Sequence, residues 1–165
     1  MNDFDLVYQI MEDSFPRNEI RDYDAQKQLL KKREYNISKK YDEEDRLIGF
    51  TAEWKFDDFI YIEHIAVASY GRGKGIGSEL IRKLLLSTDK KVFLEVEPVH
   101  DDISERRVKF YERLGFKMTD FYYEQPPLRK TDGWTELKVM SYPDKINEID
   151  FLNYKKEIYK EVYGV

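Results

Sequence analysis

The chain of 165 residues contains no cysteine and only two histidines, His64 and His100. The absence of cysteine excludes disulfides, thiolate metal sites and a cysteine nucleophile. Two histidines are too few for a histidine metal cluster, so we predict no metal site.

Long apolar runs and a basic N-terminal start are also missing. No segment reaches the ~20 apolar residues that a membrane-spanning helix needs, and the first residues are acidic, unlike a secretory signal. We therefore expect a cytoplasmic protein with no membrane partner. The net charge of −5 argues mildly against nucleic acid as a partner.

The residues that are present suit a packed core. Hydrophobic residues make up 41% of the chain and aromatic residues 15%. At ~100–200 residues per domain, the length predicts a single domain over residues 1–165.

A glycine-rich stretch from Gly71 to Gly77 is the most informative part of the chain. Four glycines alternate there with Arg72, Lys74 and Ile76. The stretch follows an apolar, β-branched run (59–67) and precedes a segment with helical apolar spacing (78–86). Strand, glycine turn and helix together direct backbone N–H groups at an anion. The spacing fits neither a P-loop nor a dinucleotide fingerprint, and a plain turn that caps a helix is the alternative.

Two patterns resemble the GNAT superfamily of N-acyltransferases. Arg72, Gly75 and Gly77 match its acyl-CoA pyrophosphate pattern, [QR]-x-x-G-x-[GA]. A second motif follows at the expected separation, with Tyr111 four positions before the Gly115-Phe116 pair.

Periodicity and turn residues predict the remaining elements. Helices are predicted at about 3–15, 22–33, 103–114 and 144–163, and strands at 35–41, 46–56, 59–67, 92–97, 116–124 and 135–142. Gly49 suggests a bulge or a close approach within its strand. We expect the inward faces of the last two helices to carry Ile103, Arg107, Phe110 and Leu114, and Ile146, Ile149, Leu152, Ile158 and Val162.

These elements and the resemblance imply an α+β, GNAT-like acyl-CoA N-acyltransferase fold. Its central mixed sheet is mostly antiparallel, contains one parallel strand pair (59–67 with 92–97) and is flanked by helices.

The resemblance also implies site residues. The backbone of Ile65 and Val67 faces the acyl-pantetheine arm, and an N–H near Val67 stabilises the oxyanion. The cofactor-binding set consists of Ile65, Val67, Arg72, Gly73, Lys74, Gly75, Ile76, Gly77 and Ser104. Glu63 is the expected base and Tyr111 the expected donor to the departing thiolate.

Each role has an alternative. Glu63 can instead pair with a neighbouring cation, in which case Glu95 or a water chain takes the proton. Tyr111 can be a core residue. Ser104 stands where many relatives have asparagine, and it can simply cap its helix.

The implied function is acetyl transfer from acetyl-CoA to a primary amine, directly in a ternary complex. The acceptor is a small molecule or a peptide that the sequence does not identify. One alternative is a non-catalytic acyl-CoA-binding or sensor module. Another is an interaction protein whose terminal helix forms a homodimer surface.

Overall fold

The computed structural model describes residues 2–165, and their contacts divide the chain into two compact units. The first unit ends at Asp89 and the second begins at Lys90. Each unit combines helices with antiparallel strand pairs, so the predicted α+β class is confirmed. The single domain over residues 1–165 stays a prediction.

The first unit contains three helices and three strands. They are α1 (Asp3–Ser14), α2 (Tyr23–Gln28), β1 (Tyr35–Tyr41), β2 (Leu47–Lys55), β3 (Phe59–Val67) and α3 (Ile76–Leu86), with 3-10 turns at Arg17–Glu19, Leu29–Lys31 and Ser69–Gly71. The helix predicted to reach Arg33 is therefore α-helical only to Gln28. Helix α1 begins where the Asn2 side chain accepts a hydrogen bond from the Asp5 N–H, at 2.9 Å.

Strand β2 is the centre of this unit. It pairs antiparallel with β1 on one side and with β3 on the other, and eight of its nine residues are buried. The β2–β3 register passes from Ala52–His64 to Glu53–Ile62, which leaves Glu63 as the extra residue of a β-bulge. The strand that carries the expected base is therefore irregular at that residue.

The second unit contains β4 (Lys91–Val96), α4 (Asp102–Arg113), β5 (Lys117–Met118), β6 (Tyr123–Gln125), β7 (Thr135–Tyr142) and α5 (Glu148–Glu161). Strand β7 pairs antiparallel with β4, β5 and β6. Helix α4 ends at Arg113, and Gly115 just beyond its C-cap has a φ of 101°, the left-handed conformation that commonly follows a helix C-terminus.

Three expectations for this unit are wrong. The strand predicted at 116–124 is two short strands, because residues 119–122 leave the ladder. Helix α4 buries Ser104, Val108 and Tyr111, whereas Ile103 is 63% exposed. The face predicted for α5 is wrong only in part: Ile146, Ile158 and Val162 are buried as expected, but Ile149 and Leu152 are 79% and 53% exposed, and α5 buries Phe151 and Tyr154 instead. Apolar spacing predicts neither burial pattern. Ser104 of α4 is buried in the capping box, and Tyr154 of α5 is buried where its hydroxyl donates to Glu95.

No helix within residues 2–165 has the length and apolarity needed to cross a membrane.

Candidate active site

The glycine-rich stretch forms an open turn that leads into α3. Gly73 and Gly75 have φ of 78° and 74°, a conformation that residues with a Cβ rarely adopt. Gly75 is the N-cap of α3 and supplies no side-chain cap. Across the described chain, the N–H groups of residues 73–77 donate to no other group. A row of unpaired donors at a helix N-terminus is a site for an anion.

Close packing fixes this turn beside the end of β3. The space for a Cβ at Gly49 of β2 lies 3.1 Å from the Ala66 carbonyl oxygen and 3.3 Å from Ile76. Ile76 and Leu80 of α3 pack with Ile48, and the half-buried Ile65 and Val67 pack against that cluster. The close approach suggested for Gly49 is therefore present, and the start of α3 packs closely against β2.

The two cations of the turn are exposed. The Nε of Arg72 donates to the Val67 carbonyl oxygen at 3.2 Å, which bends this side chain back over the end of β3. Lys74 is exposed on the turn itself. Both positive charges therefore accompany the free N–H groups, as an anionic ligand requires.

Glu63 is enclosed in a charged cluster. Its Oε2 lies 3.0 Å from Nη1 of Arg21, with side-chain exposures of 3% and 7%. Its Oε1 accepts from Nε1 of Trp54 at 2.9 Å. Burial by itself raises the pKa of Glu63, but the Arg21 charge and these hydrogen bonds outweigh burial and lower the pKa. The structure therefore shows the cation pairing that the sequence left as an alternative, and the catalytic role stays a prediction.

The Arg21 side chain continues the cluster toward α2. Its Nη1 donates to Oε1 of Gln26 at 3.5 Å, and Nε2 of Gln26 donates to the Tyr35 hydroxyl at 2.9 Å. Gln26 and Trp54 have no exposed surface. Sequence reasoning placed Arg21 only in a connector, since nothing in the local pattern links it to Glu63.

His64 is a buried neutral residue beside this cluster. Its Nε2 lies 2.8 Å from the Glu19 carbonyl oxygen, and its ring packs 4.9 Å from that of Phe15. Burial lowers the pKa of His64, and the neighbouring Glu63 carboxylate only partly opposes that effect. This histidine holds the connector after α1 against β3.

Glu95 on β4 has different surroundings. Its Oε1 accepts from Nε2 of Gln125 at 3.0 Å and from the Tyr163 hydroxyl at 3.1 Å, and its Oε2 accepts from the Tyr154 hydroxyl at 2.6 Å. Every donor is neutral. Burial raises the pKa of Glu95, and the hydrogen bonds, which lower the pKa, do not cancel that rise.

The two site residues on α4 are both buried. The Ser104 hydroxyl belongs to a capping box with Asp101, and it also accepts from the His100 N–H at 3.0 Å. Tyr111 packs between Phe110 and Phe116, and burial raises the pKa of its hydroxyl to about 12. The cofactor role of Ser104 and the donor role of Tyr111 stay predictions.

Metal chemistry has no candidate in the described chain. Residues 2–165 contain no cluster of three or more histidine, aspartate or glutamate side chains that could hold an ion.

Comparison with known proteins identifies the class. The chain belongs to the acetyltransferase (GNAT) family, whose family model matches residues 4–116. It is 28% identical over 159 residues to Bacillus subtilis (strain 168) YjbC, named as a candidate acetyltransferase, and the match covers 94% of this chain and 80% of YjbC.

Solved structures of acetyltransferases have the same fold as this chain. A candidate GNAT-family acetyltransferase from Bacteroides thetaiotaomicron matches with a TM-score of 0.90 and 27% identity, over 98% of this chain and 92% of that chain. An aminoglycoside 6'-N-acetyltransferase in complex with coenzyme A has the same fold, with a TM-score of 0.63 and 18% identity over 84% and 88% of the two chains. The predicted GNAT fold is confirmed, and the chain is an acyltransferase by family.

Proposed function

We propose that this protein transfers the acetyl group of acetyl-CoA to a primary amine of a small molecule or peptide, directly in a ternary complex. The observation that carries the proposal is the row of unpaired N–H groups at residues 73–77, in the turn and at the first residues of α3. Two findings support the pyrophosphate of coenzyme A as the anion: the chain belongs to the GNAT family, and a protein of the same fold was solved with coenzyme A bound.

The donors of the turn suit a pyrophosphate. The unpaired N–H groups of residues 73–77 would hold its oxygens, and the charges of Arg72 and Lys74 would oppose its negative charge. Close packing of Ile76 against Gly49 keeps these donors in place before the ligand arrives, which reduces the entropy lost on binding. The backbone of Ile65 and Val67 would then face the acyl-pantetheine arm.

Acetyl transfer needs a neutral amine and a proton for the departing thiolate. Tyr111, with its pKa raised to about 12 by burial, stays protonated at neutral pH and can donate a hydrogen bond to that sulfur. Glu63 can remove the amine proton only if its pairing with Arg21 is loosened, because that pairing lowers its pKa. The chain has no cysteine to carry the acetyl group, which supports direct transfer.

The first experiment tests the turn with a matched pair of variants. Gly75 and Gly164 have φ of 74° and 69°, and a Cβ at either would contact nothing within 4 Å. Alanine at either position therefore imposes similar backbone strain, about 1–2 kcal/mol. We expect Gly75→Ala alone to lose the rise in melting temperature that coenzyme A causes. Absence of that rise in the wild type would contradict the proposal.

Turnover is measured as thiol release from acetyl-CoA with polyamines, aminoglycosides, lysyl peptides and amino acids as acceptors. Amine-dependent release that falls in Tyr111→Phe supports catalysis.

A non-catalytic acyl-CoA-binding module is the second candidate function. It is favoured by one observation, the pairing of the expected base with Arg21. Stabilisation by coenzyme A without release on any acceptor would support this module over the enzyme.

A further inference from the structure

A cavity of about 570 Å³ lies within the first unit, between the edge strand β1 and helix α3. Thr51 and Lys55 of β2 line it, together with side chains of β1 and of the second half of α3. The volume falls within the range of ~300–1,000 Å³ that is usual for small-molecule sites. None of the residues assigned above to acetyl transfer lines this cavity, so the proposed function leaves it unused.

Two buried polar side chains lie at the floor of the cavity without all their partners. Alternate residues of a strand share one face, so Thr51 and Glu53 lie on the face that Gly49 turns toward α3. Both are fully buried, and neither Oγ1 of Thr51 nor Oε2 of Glu53 has a hydrogen-bond partner among the described residues. Oε1 of Glu53 accepts from Asn36 at 2.8 Å and from Ser38 at 2.6 Å, and both of these donors line the cavity. Because buried polar groups are normally paired, this floor suits a ligand with hydrogen-bonding groups.

The rim of the cavity is positively charged. Four lysines and a single glutamate line it. Lys39 and Lys40 are already paired, with carboxylate oxygens at 3.6 Å and 2.9 Å. Lys55 and Lys83 are exposed, and neither forms an ion pair with any residue between 2 and 165. Two free ammonium groups at one rim favour an anionic group on the ligand.

The floor and the rim require different groups of the same ligand. A hydroxyl both donates and accepts, so it can pair with the hydroxyl of Thr51. An anionic group would be repelled by the Glu53 carboxylate, so its place is at the lysines. Leu80 and Leu84 of α3 add an apolar wall, against which the C–H groups of a sugar ring can pack.

We propose that this cavity is a second ligand site, which binds a sugar carrying one anionic group, a phosphate or a carboxylate. Lys55 and Lys83 bind the anionic group, and Thr51 forms a hydrogen bond with a hydroxyl of the sugar. The site shares helix α3 with the glycine-rich turn but none of the residues of that turn. The proposal therefore does not depend on acetyl transfer.

Calorimetry with glucose-6-phosphate, gluconate and glucose tests the ligand class. The protein is saturated with coenzyme A, so that the anion site of the turn is filled. We expect a charged sugar to bind at least ~10-fold more tightly than glucose, the size of one charged hydrogen bond. Tighter binding of glucose-6-phosphate identifies a phosphate as the anionic group, and tighter binding of gluconate identifies a carboxylate. Binding of neither, or equal affinity for glucose, overturns the proposal.

A matched pair of double variants tests the lysines. Lys55→Gln with Lys83→Gln should weaken the binding of the preferred charged sugar by ~10-fold or more. Lys31→Gln with Lys156→Gln removes the same charge at exposed positions outside the cavity. It should change the affinity little, because salt screens charges beyond ~10 Å. Equal losses in the two double variants would show general attraction by the protein charge and overturn the site.

Thr51→Val tests the floor, because valine keeps the branched shape and lacks the hydroxyl. The variant should weaken the binding of the charged sugar by ~2–10-fold, the size of one neutral hydrogen bond. Its melting temperature without the sugar should not fall, because the lost hydroxyl has no partner among the described residues. An unchanged affinity would contradict the role of Thr51.

Two further measurements separate this site from the glycine-rich turn. Amide NMR should show shifts on addition of the charged sugar at residues 36–41 and 83–87, which flank the cavity. Shifts confined to residues 73–77 would overturn the proposal. Gly75→Ala, which alters the turn, should bind the charged sugar with wild-type affinity, so the test holds even if the protein does not bind coenzyme A. Loss of sugar binding in Gly75→Ala would place the sugar at the turn.

Discussion

Two glutamates on consecutive strands of the chain, Glu63 on β3 and Glu95 on β4, differ in the charge of the groups around them. Glu63 has a cation, Arg21 at 3.0 Å, and an indole donor, and its pKa is lowered. Glu95 has only neutral donors, and its pKa is raised. Both carboxyl groups are hydrogen-bonded, so the presence of a counter-ion, not hydrogen bonding, separates them.

The comparison shows which carboxylate is held in an ion pair. A buried ion pair is expensive to break, and Glu63 joins β3 to the connector after α1 through Arg21. Glu95 can gain or lose a proton without breaking an ion pair. The Glu63 carboxylate is therefore tied into the packing of the first unit, whereas a change in the protonation of Glu95 breaks only hydrogen bonds to neutral groups.

The largest effect is expected from Arg21→Met, which leaves the Glu63 charge buried without its cation. Removal of one partner from a buried pair costs about 3–5 kcal/mol of unfolding free energy, measured by urea denaturation at neutral pH. Adding Glu63→Gln should restore much of the loss. Arg106→Met, at an exposed position of α4, is the control and should cost at most about 0.5 kcal/mol. Equal losses in Arg21→Met and Arg106→Met would remove the basis of the comparison.

The pH dependence of stability should have opposite signs at the two residues. Glu63 has a lowered folded pKa, so its stabilisation is present above the ordinary value of 4.5 and is lost as pH falls through the folded pKa. Glu95 has a raised folded pKa, so its stabilisation is present below 4.5 and is lost as pH rises through the folded pKa.

Urea denaturation from about pH 3 to about pH 8 checks both signs. Glu63→Gln should remove the part of the unfolding free energy that the wild type loses at acid pH. Glu95→Gln should become more stable relative to the wild type as pH rises. Differences of the same sign in both variants would refute the assignment of environments.

The smallest effect is expected from Tyr154→Phe. The substitution removes one neutral donor from Glu95, which costs about 0.5–1.5 kcal/mol and raises the Glu95 pKa further, since the Tyr154 hydrogen bond lowers it. Carboxyl NMR of glutamate-labelled protein measures that pKa. Tyr122→Phe removes a hydroxyl that donates an exposed hydrogen bond to Glu124, and it should leave the Glu95 pKa unchanged. A Glu95 pKa that does not move in Tyr154→Phe would count against the hydrogen bond.

Much of the fold could be predicted from local pattern. Alternation and turn residues located β1, β2 and β3, and the glycines of the turn located the start of α3. The prediction failed where a polar contact, and not apolar spacing, decides which residue is buried. Ser104 is buried because it closes a capping box, and Tyr154 is buried because it reaches Glu95, 59 positions away. Neither contact follows from apolar spacing.

The sequence by itself determined the family motifs and the strand–turn–helix around residues 71–77, because these depend on residues within a few positions of one another. Its composition by itself excluded cysteine chemistry. Only the tertiary structure decided that Glu63 meets Arg21 while Glu95 meets tyrosines and glutamine. The pKa of a carboxyl group follows the charges and solvent within a few ångströms of it, and those neighbours are chosen by folding.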